Sequence, residues 1–230
     1  PPPSLKITHS NGRFVRFFVH PHSKALFEKT LGKYDWKQEY WATPSSSHRS
    51  LLIWDPDSNS APFGIKTTLD AMIGGDVRHL SRSQVVRATA VSALLKTIDR
   101  KALERRVIVF VDEPLGVYLN KNELGYSVRE LGFVDPHTEL IPMFSLYSKL
   151  PGGRPPIVDM IERSGIPATS FLEKFIIKPL IDQYHYLAWE HGLVGEMHEQ
   201  NVLMEIKNGL PSGRFFYRDL AGFTLKPDLR

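Results

Sequence analysis

The stretch HGLVGEMHEQN, residues 191–201, gathers two histidines, glutamates, a glutamine and an asparagine within eleven positions, and Asp219 follows eighteen residues later inside RDLAG. Carboxylates and amides are hard oxygen donors, the type Mg²⁺ prefers when it also keeps waters and phosphate oxygens. Glu196, Asn201 and Asp219 are therefore the candidate metal set. His198 and Gln200 carry N–H groups suited to phosphate oxygens. With no thiol and one histidine among the convergent residues, zinc fits less well.

The elements around these residues must bring them together. VLMEI (202–206) and RFFYR (214–218) are strand-like, and KNGLPSG between them is rich in turn residues. Closing this hairpin symmetrically about Leu210 sets Asn201 opposite Asp219, and opposed residues in an antiparallel pair lie only about 5 Å apart. Glu196, His198 and Gln200 then occupy the loop feeding the same end. A loop ending in Asn, a hairpin, then Asp with Gly shortly after is also the order found in kinase-like phosphotransferases. An HRD-type aspartate and a GxGxxG loop are missing from the sequence. A true kinase is thus the weaker reading, and a related nucleotide-binding lobe the stronger.

Upstream, RFVRFFV (13–19) and KQEYWAT (37–43) read as strands from their aromatic and β-branched content. LLIWD (51–55) and FGIKTTL (63–69) flank PDSNSAP and read as a hairpin, so the first half opens as an antiparallel sheet. A helix follows, capped by Ser81 or Ser83, with Val85, Val86, Ala90, Val91, Leu94, Leu95 and Ile98 as its apolar stripe. VIVFV (107–111) is a short buried strand ending at a turn, Asp112-Glu113-Pro114. LPGGRPP (150–156) marks a boundary between two lobes, 1–150 and 151–230. Residues 168–190 form a helix with Thr169 or Ser170 as cap and a kink at Pro179. His191 ends that helix before Gly192, and Tyr186 and Trp189 read as core. The expected fold class is α+β: an antiparallel β-rich lobe, then a helical lobe carrying the hairpin, with ATP in the cleft.

The composition narrows the partners. A 42% hydrophobic fraction suits a folded domain, and the net charge of +4 comes from basic residues interleaved with acidic ones. The densest cluster, RKALERR (100–106), reads as a solvated helix end. Without a basic stripe bearing exposed aromatics, no nucleic acid is expected as a partner. The absence of cysteine excludes disulfides, zinc–thiolate sites and thiol nucleophiles, and fits a reducing compartment, so the cytoplasm is the expected location. No apolar run approaches the roughly 18 residues that span a bilayer, so no membrane partner is expected. The opening PPPSLKITHS, without an initiator methionine, and the ending FTLKPDLR so soon after RDLAG read as parts of a longer polypeptide.

HGLVGEMHEQNVL followed by RDLAG resembles the HG…ExHxQN…RDxxG signature of the aerobactin-synthetase (IucA/IucC) family of siderophore synthetases. Upstream pieces fall in the family's order: PSSSHRS (44–50), FGIKTTL (63–69) with its lysine, then Arg78, SVREL (127–131) and LIPMFSL (140–146). The resemblance spans roughly residues 40–222. It implies an ATP-dependent ligase that adenylates a carboxylate of citrate or a related polycarboxylate, releases pyrophosphate, and lets an amine or hydroxyl attack the acyl-adenylate. By residue-wise match, Ser46, Ser47, Arg49 and Lys66 contact ATP phosphates together with His198, Gln200 and Asn201. Glu196, Asn201 and Asp219 hold Mg²⁺. Arg78 sits between the carboxylate and the α-phosphate, and Arg78, His198 and Lys66 form the catalytic set. The resemblance also leaves room for a homodimer. Apart from it, Lys66 reads as an outward strand residue and Arg78 as a surface charge. The run before that arginine, Ile73-Gly74-Gly75-Asp76-Val77, departs from the Thr or Ser usual in the family.

Overall fold

The computed structural model describes residues 4–8, 14–33, 35–37, 40–54, 62–98, 108–119, 124–131, 138–149, 153–226 and 228. Residues 56–61 of PDSNSAP, the RKALERR cluster and residues 150–152 of LPGGRPP lie outside them. The strands of the first half are β1 (Ser4–Thr8), β2 (Phe14–Phe18), β3 (Trp41–Pro44), β4 (Ser50–Trp54), β5 (Phe63–Thr67), β6 (Met72–Ile73) and β7 (Asp76–Val77). Then come β8 (Ile108–Phe110), β9 (Asp112–Leu119), β10 (Leu124–Glu130), β11 (Thr138–Pro142), β12 (Leu193–Val194), β13 (Val202–Lys207), β14 (Leu210–Tyr217) and β15 (Thr224–Leu225). The α-helices are α1 (Lys24–Leu31), α2 (Arg82–Leu95), α3 (Pro156–Ser164), α4 (Ala168–Leu172) and α5 (Lys178–His191). The fold is α+β with mainly antiparallel sheets.

Two compact units divide the chain: residues 1–92 with 112–131, and residues 93–111 with 132–230. The line therefore does not fall at 150. Strands β8 and β11 pair with β14 and β13, which draws both into the second unit's sheet.

In the first unit, the strands run in the order β3-β4-β5-β10-β9, each pair antiparallel. Side chains alternate between faces. Leu51, Ile53, Ile65, Leu124 and Tyr126 form a core with Phe17, Phe18 and Phe27. Phe17 and Phe18 meet the Tyr126 ring edge-on at 5.2 and 5.5 Å. The Tyr126 hydroxyl donates to the Arg16 carbonyl at 2.5 Å, and burial pushes its pKa up. The expected β4–β5 hairpin is present. Asp112-Glu113-Pro114 is not a turn but the start of β9. Proline cannot donate to a sheet ladder, and β9 accommodates it as an edge strand beside a register shift between Val128 and Glu130.

Helix α2 begins with a capping box: the Gln84 N–H donates to Ser81 Oγ (3.3 Å), and the Ser81 N–H to Gln84 Oε1 (3.2 Å). Ser81 is the cap, and Ser83 lies within the helix. Its buried stripe is Val85, Ala88, Ser92 and Leu95, continued by Ile98. Val86, Ala90 and Leu94, expected in the stripe, are exposed, because the helix turns its 85–88–92 face to the sheet.

In the second unit, β11, β13 and β14 are antiparallel neighbours, and β8 adds a parallel pair to β14. Met204, Ile206, Phe215 and Tyr217 are buried in this sheet, as are Phe171 and Leu187 of the helices. The Tyr217 hydroxyl donates to Gln183 Oε1 at 2.9 Å. The long helix starts at Ala168 after Pro167, so Thr169 and Ser170 lie inside it rather than capping it. Between α4 and α5 the residues Glu173–Ile177 form one π-turn, with the Lys178 N–H bonded to the Glu173 carbonyl. Pro179 follows at once. Its missing N–H removes one i→i−4 bond, and the widened turn absorbs the interruption expected there.

Candidate active site

In the first unit, the sheet face opposite Ile65 and Tyr126 carries a row of polar side chains. Ser50 pairs with Lys66, and Lys66 with Ser127. Lys66 is 6% exposed, so it is neither outward nor solvated. Arg129, on the same face and 3% exposed, donates from Nε to Glu113 Oε1 (3.0 Å) and from Nη1 to Ser50 Oγ (3.0 Å). Glu113 is 1% exposed; its Oε2 accepts from Ser127 Oγ at 3.4 Å, and its main-chain N–H donates to Ser92 Oγ at 3.0 Å.

Arg49 is tied to β5 by its carbonyl, which accepts from the Thr67 N–H at 2.9 Å. Its guanidinium donates to the carbonyls of Arg78 (3.2 Å) and His79 (2.7 Å). Burial, then the charges of Arg78 and Arg129, hold its pKa down at about 10; Glu113 offsets part of that. Arg78 is half-buried, its own main chain pinned to Ala71 and Leu69. Ser46 is exposed and Ser47 half-buried in a tight loop, closed by Ser50 N–H to the Ser47 carbonyl and Ser45 N–H to the Ser50 carbonyl. The unit thus gathers Arg49, Lys66 and Arg78, as the sequence expects, and adds Arg129 and Glu113. Arg129 had a signal in SVREL; Glu113 had none, because Pro114 made its neighbourhood resemble a turn.

In the second unit, the β13–β14 hairpin turns at Asn208-Gly209, both at positive φ (53° and 75°), as a two-residue I′ turn requires. Pairing starts at Lys207–Leu210 and Ile206–Pro211, then resumes at Met204–Phe215 beyond a bulge. The ladder consequently reaches Asn201 opposite Arg218, whose N–H donates to the Asn201 carbonyl at 3.0 Å. Asp219 is one position further on, not directly opposite Asn201. It takes a left-handed conformation (φ 67°) that opens the short 3₁₀ turn Leu220–Gly222.

The loop before the hairpin is held by its own polar groups. The Asn201 N–H donates to the His198 carbonyl (2.8 Å), and its Nδ2 to the Glu196 carbonyl (3.0 Å). Arg218 donates from Nε and Nη2 to the Gln200 carbonyl at 3.1 and 2.8 Å. The Gln200 N–H donates to His198 Nδ1 at 3.2 Å, which leaves a neutral imidazole its proton on Nε2. His198 Nε2 lies 3.9 Å from Glu196 Oε1, and both side chains are exposed. Two glycines let the loop close on the RDLAG turn. A Cβ on Gly195 would stand 2.6 Å from the Phe223 ring, and one on Gly222 would stand 3.0 Å from Glu196 Cβ.

Among the described residues no group of three or more His, Asp or Glu side chains could hold a metal alone. Two carboxylates and the amide oxygen of Asn201 nonetheless suit Mg²⁺, which commonly keeps waters and phosphate oxygens in its shell. Asn201 spends its Nδ2 on the Glu196 carbonyl, which leaves Oδ1 as its acceptor. Nearby, a cleft of about 270 Å³ is walled by Leu146, Ile157, Leu172 and Ile176, with Glu199 at its rim. Hydrogen bonding to Glu199 pushes the Tyr147 hydroxyl pKa up. His191 ends α5 before Gly192 in the left-handed conformation, as expected. Trp189 is not core: it is 61% exposed and stacked on His185. Tyr186 is half-buried, edge-on to His191.

The family model described as IucA / IucC matches residues 17–148, more than half of the chain. The chain belongs to the IucA/IucC family. A second model, described as ferric iron reductase FhuF-like transporter, matches residues 177–230, from the end of the π-turn through RDLAG. Among curated proteins, the citryl-spermidine/3,4-dihydroxybenzoyl-citryl-spermidine:spermidine ligase of Bacillus anthracis is 27% identical over 158 residues, covering 64% of this chain and 25% of that protein. The petrobactin biosynthesis protein AsbB from Bacillus anthracis str. Sterne shares the fold (TM-score 0.75, 22% identity, 92% of this chain, 38% of that one). So does ATP-bound aerobactin synthetase IucA from a hypervirulent Klebsiella pneumoniae pathotype (TM-score 0.72, 24% identity, 94% of this chain, 43% of that one). The chain spans about a quarter of the curated relative and about two fifths of these solved structures. No helix among the described residues is long and apolar enough to cross a membrane.

Proposed function

We propose that this IucA/IucC-family chain carries the nucleotide- and carboxylate-handling residues of an ATP-dependent siderophore ligase. The carboxylate of citrate or a related polycarboxylate attacks the α-phosphorus of ATP. A new C–O–P bond forms, the α–β phosphoanhydride breaks, and pyrophosphate leaves. An amine or hydroxyl then attacks the acyl carbon; AMP leaves and the nucleophile's proton passes to solvent.

The observation that carries this reading is the clustering of positive charge in the first unit: Arg49 lies within electrostatic reach of Arg78, Arg129 and the buried Glu113, and the buried Lys66 sits on β5 between Ser50 and Ser127. Bringing an anionic acid against an anionic phosphate requires such fixed positive charge, aimed where negative charge develops. Arg78 bridges the carboxylate and the α-phosphate; Ser46, Ser47, Arg49 and Lys66 hold phosphate oxygens. In the second unit, His198 donates from Nε2, with Gln200 and Asn201 beside it, and Glu196, Asn201 and Asp219 are the residues that would hold Mg²⁺. The metal, when bound, supplies charge neutralisation at the phosphates.

The test is exchange of labelled pyrophosphate into ATP. Exchange that depends on citrate or another polycarboxylate supports adenylation; exchange absent with every polycarboxylate, in a chain that still binds ATP, refutes it.

A further inference from the structure

We infer that Glu113, Arg129 and Ser50 are positioning residues that set the donor direction of the Ser47 hydroxyl. This rests on the reading of Ser47 as a phosphate contact. The chain of contacts is continuous within the first unit. Glu113 Oε1 accepts from Arg129 Nε at 3.0 Å, Arg129 Nη1 donates to Ser50 Oγ at 3.0 Å, and Ser50 Oγ donates to Ser47 Oγ at 3.3 Å.

Proton bookkeeping gives the sequence a direction. A guanidinium only donates, so Ser50 Oγ must accept from Arg129 and turn its single proton toward Ser47. Ser47 Oγ therefore accepts from Ser50, and its own proton is left to point elsewhere. Phosphate oxygens only accept, so a serine whose proton faces outward is matched to them, whereas one whose proton faces Ser50 is not. Glu113 in turn fixes the guanidinium: it takes Arg129 Nε on one oxygen and Ser127 Oγ on the other.

Burial explains why this takes a charged pair. Glu113 and Arg129 are 1% and 3% exposed. A buried ion pair is weak grounds for stability, since apolar side chains of the same shape commonly serve the fold as well. What such a pair does supply is a fixed orientation. Here it is spent on Ser50, which also closes the Ser45–Ser50 loop through its N–H to the Ser47 carbonyl (3.0 Å). The same loop carries Arg49.

The experiment measures Mg²⁺-ATP affinity by calorimetry for the chain and for Ser47→Ala, Ser50→Ala and the double variant, with thermal unfolding alongside. Ser50→Ala leaves the Glu113–Arg129 ion pair in place but takes one acceptor from Arg129 Nη1, a loss of stability that thermal unfolding reads separately from affinity. The expected result is about a tenfold loss of affinity for Ser47→Ala, the scale of one hydrogen bond to a charged acceptor, and a smaller loss for Ser50→Ala, which keeps the Ser47 proton but no longer fixes its direction. The double variant should be no weaker than Ser47→Ala alone, because both act through one proton. Normal affinity in Ser50→Ala, or losses that multiply in the double variant, would overturn the relay while leaving the Ser47 assignment standing. Normal affinity in Ser47→Ala would overturn the assignment itself, and the relay with it.

Discussion

Replacing Glu113 by glutamine keeps the side chain's shape and removes its charge. In the folded protein that charge faces the Arg129 Nε at 3.0 Å and partly offsets the buried Arg49 guanidinium. Two unit charges about 4 Å apart attract by about 4 kcal/mol at an effective dielectric of about 20. Removing one partner of a buried pair costs about 3–5 kcal/mol, because the other charge stays in the interior uncompensated. Set against a total stability of about 5–15 kcal/mol, Glu113→Gln should lose a large share of it. The assay is urea unfolding of Glu113→Gln, Arg129→Met and the double variant. The double variant should recover most of the loss, since no buried charge of the pair remains. A loss below about 1 kcal/mol in Glu113→Gln, or a double variant as weak as the two singles summed, would refute the pairing.

Three further outcomes are expected. Asp219→Asn keeps a residue that tolerates the left-handed conformation but loses the carboxylate, so the Mg²⁺ dependence of ATP binding should vanish with little change in melting temperature. Gly195→Ala drives a methyl into the Phe223 ring and should cost about 1–3 kcal/mol by denaturant unfolding, the scale of overpacking. Arg49, held at about 10 against an ordinary 12.5, sheds its proton in the folded state first. Its contribution to stability should therefore rise with pH between those values, as proton binding favours the unfolded chain there. Guanidinium carbon resonances should show it titrating below the other arginines, and ATP should move that titration upward.

The sequence announces its elements better than their register. The β4–β5 hairpin, the helix capped by Ser81 and the interruption at Pro179 follow from local rules that act over a few residues. The hairpin carrying Asn201 was also legible, but its register depends on where the two-residue turn sits. Turning at Asn208-Gly209 rather than about Leu210 displaces the register by three positions, a bulge facing Glu205 restores two of them, and Asp219 ends one position beyond the residue across from Asn201. Glu205, 3% exposed, accepts there from Ser212 Oγ (2.5 Å) and Arg214 Nη1 (3.3 Å), which gives the bulge a chemical reason that no periodicity reveals. The charged row of the first unit was harder still. Lys66 and Arg129 sit on strands whose partners come from distant segments, so their burial depends on pairings that local pattern does not encode. Glu113 was hidden by Pro114, because an edge strand tolerates a proline that otherwise reads as a turn.

The most direct test of the central claim is the identity of the nucleotide product when the chain is given Mg²⁺-ATP, a polycarboxylate and an amine. Adenylation yields AMP and pyrophosphate in equal amounts, and that is the expected result. ADP with a phosphorylated product would place the chain with phosphotransferases and contradict it.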